Sequence, residues 1–408
     1  MTQAEMKFLQ IVSCCFNENN DLPELDSAEL KAVFELSASH NILPLVFKKM
    51  SEKYSENTVL KSYKKAALSL SMLQLLRTER FLSLYRILSS RGVRAVCVKG
   101  ITLRTLYSDG ECRPSTDEDL LIESEQLNLF CVLMREQGFI QRKRTDTEAS
   151  FIDEKTSLVV EANTALFSVG GKPGEVLERL FKNSFENTAT VNIGNTEILT
   201  LSPQMNILYL VCHAFKHFIH SGFGIRQVCD IAVFLEKYKN EIDLDALKKS
   251  LSELSAANFF EALVNISAKE LGFENLWSLC KVKTSDETDL IEDILRAGVY
   301  GRGETSRAHS ASITLSAAEN QKSSPARVRL VFPKVEVLAA KYPVLNRTPA
   351  LYPFCAASRL LKYIGEVVLC KNGSGTPTQS IEIANRRLKL MKRLGIIPPD
   401  GKKGGSVH

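Results

Sequence analysis

Arg113-Pro114-Ser115-Thr116-Asp117-Glu118-Asp119-Leu120-Leu121-Ile122 is the stretch on which the fold turns. The segment from about 117 to 122 passes from three acids to three aliphatic residues and reads as a strand. Side chains alternate faces along a strand, so Asp117 and Asp119 point the same way, roughly 7 Å apart at Cα. Two carboxylates at that spacing can share divalent cations, and Mg²⁺ takes a few carboxylates together with substrate phosphates. Taken alone, Asp-x-Asp is a weak signal, and a solvated acidic turn is its plainer reading.

The flanking sequence changes that balance. Upstream, residues 93–98 form a short apolar run after Gly92, as a buried strand would. Lys99-Gly100 ends it, residues 101–107 suit a short helix, and Asp109-Gly110 marks a turn. Glycine permits close approach of backbone to a phosphate, and a helix N-terminus favours an anion; the plain alternative is an ordinary surface turn. Downstream, residues 125–137 read as a helix ended by Gly138. Residues 150–153 and 158–162 read as two strands joined at Glu154-Lys155-Thr156. The second holds Glu161 within Leu158-Val159-Val160-Glu161-Ala162-Asn163. A carboxylate on a central strand needs a partner or a metal, because its desolvation is costly. On an edge strand Glu161 would instead face water. A two-metal site needs such a third carboxylate.

The rest of the chain is mostly helical. Ser27 is a candidate cap for a helix over 28–36, and an amphipathic pattern runs from about 59 to 90. A hairpin is expected over 190–201 around Gly194-Asn195. After Ser202-Pro203, helices are expected at about 203–220, 224–238, 244–254, 257–271 and 286–297. A Ser/Ala/Gly/Arg-rich loop or lid over 301–325 precedes helices at about 351–369 and 378–394, and a Gly/Lys-rich tail over 398–408 reads as disordered. The expected organisation is an N-terminal helical region (1–90), a mixed-sheet core (91–201), a helical domain closing the cleft (202–300), a loop with C-terminal helices (301–397) and the tail.

Bulk properties narrow the function classes. A chain of 408 residues is too long for one ordinary core. A net charge of +5 does not by itself imply nucleic acid, and DNA is not an expected partner. No uncharged apolar stretch reaches the roughly 18 residues of a membrane span, and the first fifteen residues lack the features of a secretory signal. Ten cysteines lie mostly in apolar contexts without a Cys-x-x-Cys pair, which suits free thiols in a reducing cytoplasm rather than zinc.

Together these residues resemble the uncharacterised nucleotidyltransferase family of the DNA polymerase β-type superfamily. That family has a Lys-Gly turn, a Leu-Tyr pair, an Arg and then Asp-x-Asp followed by apolar residues. Here these are Lys99-Gly100, Leu106-Tyr107, Arg113 and Asp117-Glu118-Asp119-Leu120-Leu121-Ile122. The family's acidic strand residue corresponds to Glu161, its two helix histidines to His213 and His217, and its Arg…Asp helix to Arg226 and Asp230. A Phe-Pro…Tyr-Pro segment appears as Phe332-Pro333 and Tyr342-Pro343, so the similarity is expected to run from about 90 to 361. Two departures stand out. Glu118 replaces the usual apolar residue between the aspartates and should face away from the metals toward solvent or a cation. Asn163 stands where the family often has His.

The resemblance implies an α+β fold with a polymerase-β-like mixed-sheet core flanked by N- and C-terminal helical regions. It implies transfer of a nucleoside monophosphate from an NTP to an acceptor hydroxyl, with pyrophosphate release. Asp117, Asp119 and Glu161 would hold Mg²⁺, with Mn²⁺ as a substitute, and Lys99 and the Gly100 amide would hold the triphosphate. Arg113 would contact the triphosphate or else pair with Asp117 or Asp119. Arg226 would touch phosphate or base, or form an i,i+4 salt bridge with Asp230. His213 and His217 would line the nucleotide side of the cleft or be polar core residues; zinc is the remote option. The acceptor is expected to be a small molecule, with toxin-like or regulatory transfer to tRNA or protein as the alternative. A module of another class, an inactive nucleotide-binding or interaction domain, would keep the fold without the chemistry. The basic helix over 378–394 reads as a packing helix with a solvated face rather than an RNA-binding one. Arg302, Arg307, Arg327 and Arg329 are candidates to close over the acceptor.

Overall fold

A computed structural model of the chain describes residues 1–168, 171–220, 222–279, 287–298 and 377–397. The expected lid at 301–325, the helix at 351–369, the Phe-Pro…Tyr-Pro segment, the arginines between 302 and 329 and the tail lie outside the described residues. The chain divides into two compact units, the first comprising Met1–Phe215 with Gly224–Leu295 and the second Lys216–Phe223 with Arg296–His408. The boundaries expected near 90 and 201 fall inside the first unit.

The first unit begins with four helices, α1 (Gln3–Phe16), α2 (Ser27–Ser39), α3 (Leu43–Tyr54) and α4 (Thr58–Ser90). Asp26, not Ser27, caps α2, because Glu29 reaches back to the Asp26 backbone N–H while the Asp26 carboxylate accepts from the Glu29 N–H. The core follows with β1 (Ala95–Cys97), α5 (Ile101–Arg104), β2 (Asp117–Ile122), α6 (Leu127–Glu136), β3 (Ile140–Arg144), β4 (Glu148–Asp153), β5 (Leu158–Asn163), α7 (Gly171–Leu180), β6 (Thr188–Ile193) and β7 (Thr196–Leu201). These strands make one seven-stranded sheet in the order β3-β4-β5-β2-β1-β7-β6. It is mixed: β2 runs antiparallel to β1 and parallel to β5, and β1 runs parallel to β7.

Alternation sorts the two faces of the central strands. Leu120 and Ile122 of β2, Val160 and Ala162 of β5, and Ala95 and Cys97 of β1 are buried in one cluster with Phe81, Leu84 and Leu88 of α4 and Phe130, Leu133 and Met134 of α6. Fully burying side chains of this size contributes about 1.5–3 kcal/mol each. The same alternation sends Asp117, Asp119 and Glu161 to the opposite face. β5 is thus a central strand between β4 and β2, not an edge.

The N-terminal helices also brace the acidic strand. Gln74 and Arg77 are buried on α4. The Ser115 N–H donates to Gln74 Oε1 at 2.7 Å, and Arg77 donates to the carbonyls of Ser115 at 3.1 Å and Thr156 at 2.9 Å. One arginine therefore ties the entrance of β2 to the β4–β5 turn.

Helices α8 (Pro203–His220), α9 (Ile225–Tyr238), α10 (Leu244–Glu253), α11 (Ala257–Glu270) and α12 (Glu287–Ala297) follow, at the positions the periodicity predicts. In the second unit, a helix at Pro377–Arg393 matches the expected basic helix. Its Arg387 departs from a solvated face: it is 1% exposed, donates to the Phe218 carbonyl and lies 5.8 Å from the Phe218 ring centre. Leu390, Met391 and Leu394 are buried beside it in sequence. Among the described residues, no helix is long and apolar enough to cross a membrane.

Candidate active site

The parallel pairing of β2 with β5 sets the register of the acids. Asp119 pairs with Glu161, and Asp117 pairs with Val159 two residues earlier. The carboxylates therefore stand on one face, two from β2 and one from the adjacent position on β5. Ser115 Oγ lies 3.2 Å from Asp117 Oδ1 and 3.1 Å from the Asp117 carbonyl, which steadies the first acid at the strand entrance.

Lys99 lies between the two aspartates. Its Nζ is 3.3 Å from Asp117 Oδ2, 2.9 Å from Asp119 Oδ2 and 3.4 Å from His213 Nε2. The contact to Asp119 is an ion pair by distance but is not aligned as a hydrogen bond, and Asp119 Oδ2 is a buried oxygen with no hydrogen-bond donor among the described residues. The charges split the two acids. Burial raises Asp117, but Lys99 and then Arg226 outweigh it and hold this carboxyl well below its usual range. Burial dominates at Asp119; with repulsion from Asp117 and Glu161 it overcomes Lys99 and pushes the carboxyl up to about 7.

Among the described residues, no three His, Cys, Asp or Glu side chains are drawn together as a metal would draw them. The Lys99 ammonium supplies the positive charge between Asp117 and Asp119. The donor set still suits a hard cation: it is all carboxylate oxygen, and buried Asp119 Oδ2 lacks an aligned donor.

Glu118 faces away from this site, and its required cation is Arg104. The two pair in a short contact, with Glu118 2% and Arg104 4% exposed. The other carboxylate oxygen accepts the Ile101 N–H at 2.7 Å, at the start of α5. Gly100 makes this possible. Its φ is +69°, and a Cβ there would lie 2.1 Å from Glu118 Oε2. The close approach that this glycine permits is to a carboxylate of the protein itself.

Arg113 pairs with neither Asp117 nor Asp119. It is buried and bidentate to Asp230, Nε to Oδ1 at 2.6 Å and Nη2 to Oδ2 at 2.7 Å, and its Nη1 donates to the Gly100 carbonyl at 3.4 Å. Tyr107 donates to the same Asp230 at 2.8 Å. With every edge of its guanidinium engaged, Arg113 ties α9 to the Lys99-Gly100 turn instead of presenting donors to a triphosphate. The i,i+4 bridge expected between Arg226 and Asp230 is absent for the same reason, since Arg113 and Tyr107 occupy the carboxylate. Arg226 donates to the Pro114 carbonyl, and its charge acts on Asp117.

His213, on α8, is placed at Lys99. His217, one turn further along the helix, falls in the second unit. Tyr209 was not anticipated. It is 4% exposed, and its ring lies 5.7 Å from His213 and 5.5 Å from Phe167. Burial chiefly raises its hydroxyl pKa, and the charges of Lys99, Asp119, Asp117 and Glu161 all act on it. The signal was the i,i+4 spacing of Tyr209 and His213, which sets both on one helical face.

A protein-family model described as uncharacterised nucleotidyltransferase matches residues 26–272. The match takes in α2 to α4, the last of which braces the acidic strand, and ends before the Phe-Pro…Tyr-Pro segment, so it begins and stops earlier than the motifs suggested. No curated protein matches the chain, and no solved structure matches it.

Proposed function

The chain belongs to the uncharacterised nucleotidyltransferase family, and from that membership we propose that it moves a nucleoside monophosphate from an NTP to a hydroxyl of a small-molecule acceptor, using Asp117, Asp119 and Glu161 as the ligands of Mg²⁺. The observation that carries this reading is the register that sets Glu161 beside Asp119 on the face that also bears Asp117. Mn²⁺ would substitute, being another cation suited to carboxylate oxygens.

Bound there, Mg²⁺ would neutralise phosphate charge and align the phosphates for in-line displacement. The chain's own residues do the rest by position. Asp117, ionised through Lys99 and Arg226, offers a fixed anionic ligand. Glu161 stands on the acceptor side and takes the proton of the attacking hydroxyl. Lys99, shared by the two aspartates, would give its charge to the triphosphate when Mg²⁺ is bound. The acceptor oxygen forms a bond to the α-phosphorus, the bond to the bridging oxygen breaks, and pyrophosphate leaves with that electron pair. His213 orients the Lys99 ammonium. Arg113, Asp230 and Glu118 hold the Lys99-Gly100 turn in place without touching substrate.

One observation favours a second reading. Lys99 already neutralises the two aspartates, as it would in an inactive module that keeps the fold. Incubation with each α-labelled NTP, Mg²⁺ or Mn²⁺ and fractionated cell lysate separates the two. The enzyme labels an acceptor and Asp117→Asn does not. Equal behaviour of wild type and variant in every fraction selects the inactive module. Label on tRNA or protein would replace the small-molecule acceptor with a macromolecular one.

A further inference from the structure

We infer that the acceptor occupies a cavity of about 670 Å³ beside the acids, walled by Leu121, Leu166, Phe167, Leu177 and Phe185, and that it is a hydroxyl-bearing small molecule with an apolar or aromatic body. This rests on the nucleotidyl-transfer reading and adds to it a binding site and a substrate class.

Position is the first argument. Leu121 stands two residues beyond Asp119 on the same face of β2, and it pairs with Asn163, two residues beyond Glu161 on β5. The cavity thus begins about 7 Å along the strands from the metal-binding pair. The second argument is sidedness. In the sheet order, β1, which leads into Lys99, lies on one side of β2, and β5, which bears Glu161, lies on the other. An in-line displacement sets the attacking oxygen and the leaving pyrophosphate on opposite sides of phosphorus. The cavity runs from Thr164 to Ser168, which follow β5, to Phe185, which packs on Arg94 ahead of β1; with the triphosphate held at Lys99, its β5 end is where the attacking hydroxyl belongs.

Continuity is the third argument. Phe167 packs at 5.2 Å on Phe181 and at 5.5 Å on Tyr209, and Tyr209 packs on His213 beside Lys99. Tyr209 and Phe181 are buried, so this chain of rings ties the lining of the cavity to the residues beside Lys99. The lining decides the class. A cavity of this size, with aromatic and aliphatic side chains set among Thr164, Ser168, Ser184 and charged groups, matches small-molecule sites, which run to about 300–1,000 Å³. Its charged residues are balanced, with Glu175 and Glu178 against Arg179 and Lys182, and Arg179 is paired with Glu253. A nucleic-acid acceptor calls for a cationic surface to neutralise phosphates, and this one has no excess of positive charge.

The reaction balances within the site. The acceptor O–H loses its proton to Glu161, the oxygen bonds the α-phosphorus, and pyrophosphate departs with the electrons of the broken P–O bond. The test uses the full chain, the four α-labelled NTPs and a protein- and RNA-free ultrafiltrate of cell lysate as acceptor source. Nucleotide affinity is read separately with the fluorescent N-methylanthraniloyl analogue of the NTP used. Ala165→Trp and Ser168→Trp each place bulk in the cavity from an exposed position, so the fold is spared. Wild type is expected to label a small molecule. Both variants are expected to lose at least about tenfold in transfer while nucleotide affinity stays within about twofold. The proposal is overturned if both variants transfer like wild type, if transfer and nucleotide affinity fall together (the cavity then holds the nucleoside), or if wild type labels only RNA or protein. If wild type labels nothing and binds nucleotide no better than Asp119→Asn, the nucleotidyl-transfer reading itself has failed, and the acceptor site with it.

Discussion

Arg113 and Asp230 are buried together and joined by two parallel hydrogen bonds of 2.6 and 2.7 Å, 117 residues apart in the chain. The pair carries a pH dependence. Burial alone would raise the Asp230 carboxyl, but the Arg113 charge and its hydrogen bonds hold it below the usual range. A depressed folded-state pKa contributes stability that is full above the unfolded value of about 3.9 and lost as pH falls through the folded one. Asp230→Asn is expected to lower stability at neutral pH by about 3–5 kcal/mol, since it leaves a buried guanidinium without its counter-charge. It should also flatten the acid limb of a plot of melting temperature against pH. A variant as stable as wild type at pH 7, with the same acid limb, would show that the pair does not hold the turn.

Gly100 should tolerate no side chain. Alanine there meets both the positive φ, which costs roughly 1–2 kcal/mol, and the Glu118 carboxylate in the path of its Cβ. Urea unfolding of Gly100→Ala is expected to show a loss of more than about 2 kcal/mol. Glu118→Ala, which strands Arg104, is expected to cost less in the Gly100→Ala background than in the wild type, because it also removes the clash.

Arg104 and Glu118 should show strong coupling for a different reason. Removing Arg104 as Arg104→Met strands a buried carboxylate, a loss of about 3–5 kcal/mol, whereas Arg104→Met with Glu118→Met together should recover much of it. A double variant as unstable as the sum of the singles would contradict the pairing.

Lys99 is expected to compete with the metal. Lys99→Met removes the ammonium between Asp117 and Asp119. It should tighten Mn²⁺ binding to the nucleotide-free protein by about tenfold while weakening NTP binding. Calorimetric titration of each ligand separates the effects. A parallel loss of both affinities would mean that Lys99 organises the acids rather than competing for them.

Much of this was legible in the sequence because it obeys short periods. The strand at 117–122, the two acids on one face and the helices between 203 and 297 all follow from spacing of two or of three to four. β3 was not legible: Ile140–Arg144 has no buried face apart from the partly covered Arg144, so no apolar pattern marks it. α7 begins Gly171-Lys172-Pro173-Gly174, which reads as a breaker. The long-range pairs were also hidden. Nothing local to Arg113 names Asp230 as its partner, and the i,i+4 rule pointed to Arg226, which lies on the same helix but turns to the Pro114 carbonyl. Glu118 was legible halfway: its face followed from alternation, while the identity of its cation depended on how α5 folds back. Tyr209 gave only a helical spacing, and its nearness to the acids depends on how α8 lies against the sheet.

The most direct test of the central claim is α-label transfer in the presence of Mg²⁺ by wild type and by Asp119→Asn, with folding of the variant confirmed by its melting temperature. Asp119 is largely buried and short of donors, so the variant should fold at least as well as wild type without metal. Transfer should fall by at least about 10²–10³-fold, as when charge stabilisation at a reacting phosphate is removed. A folded Asp119→Asn protein that transfers label at the wild-type rate would contradict the account.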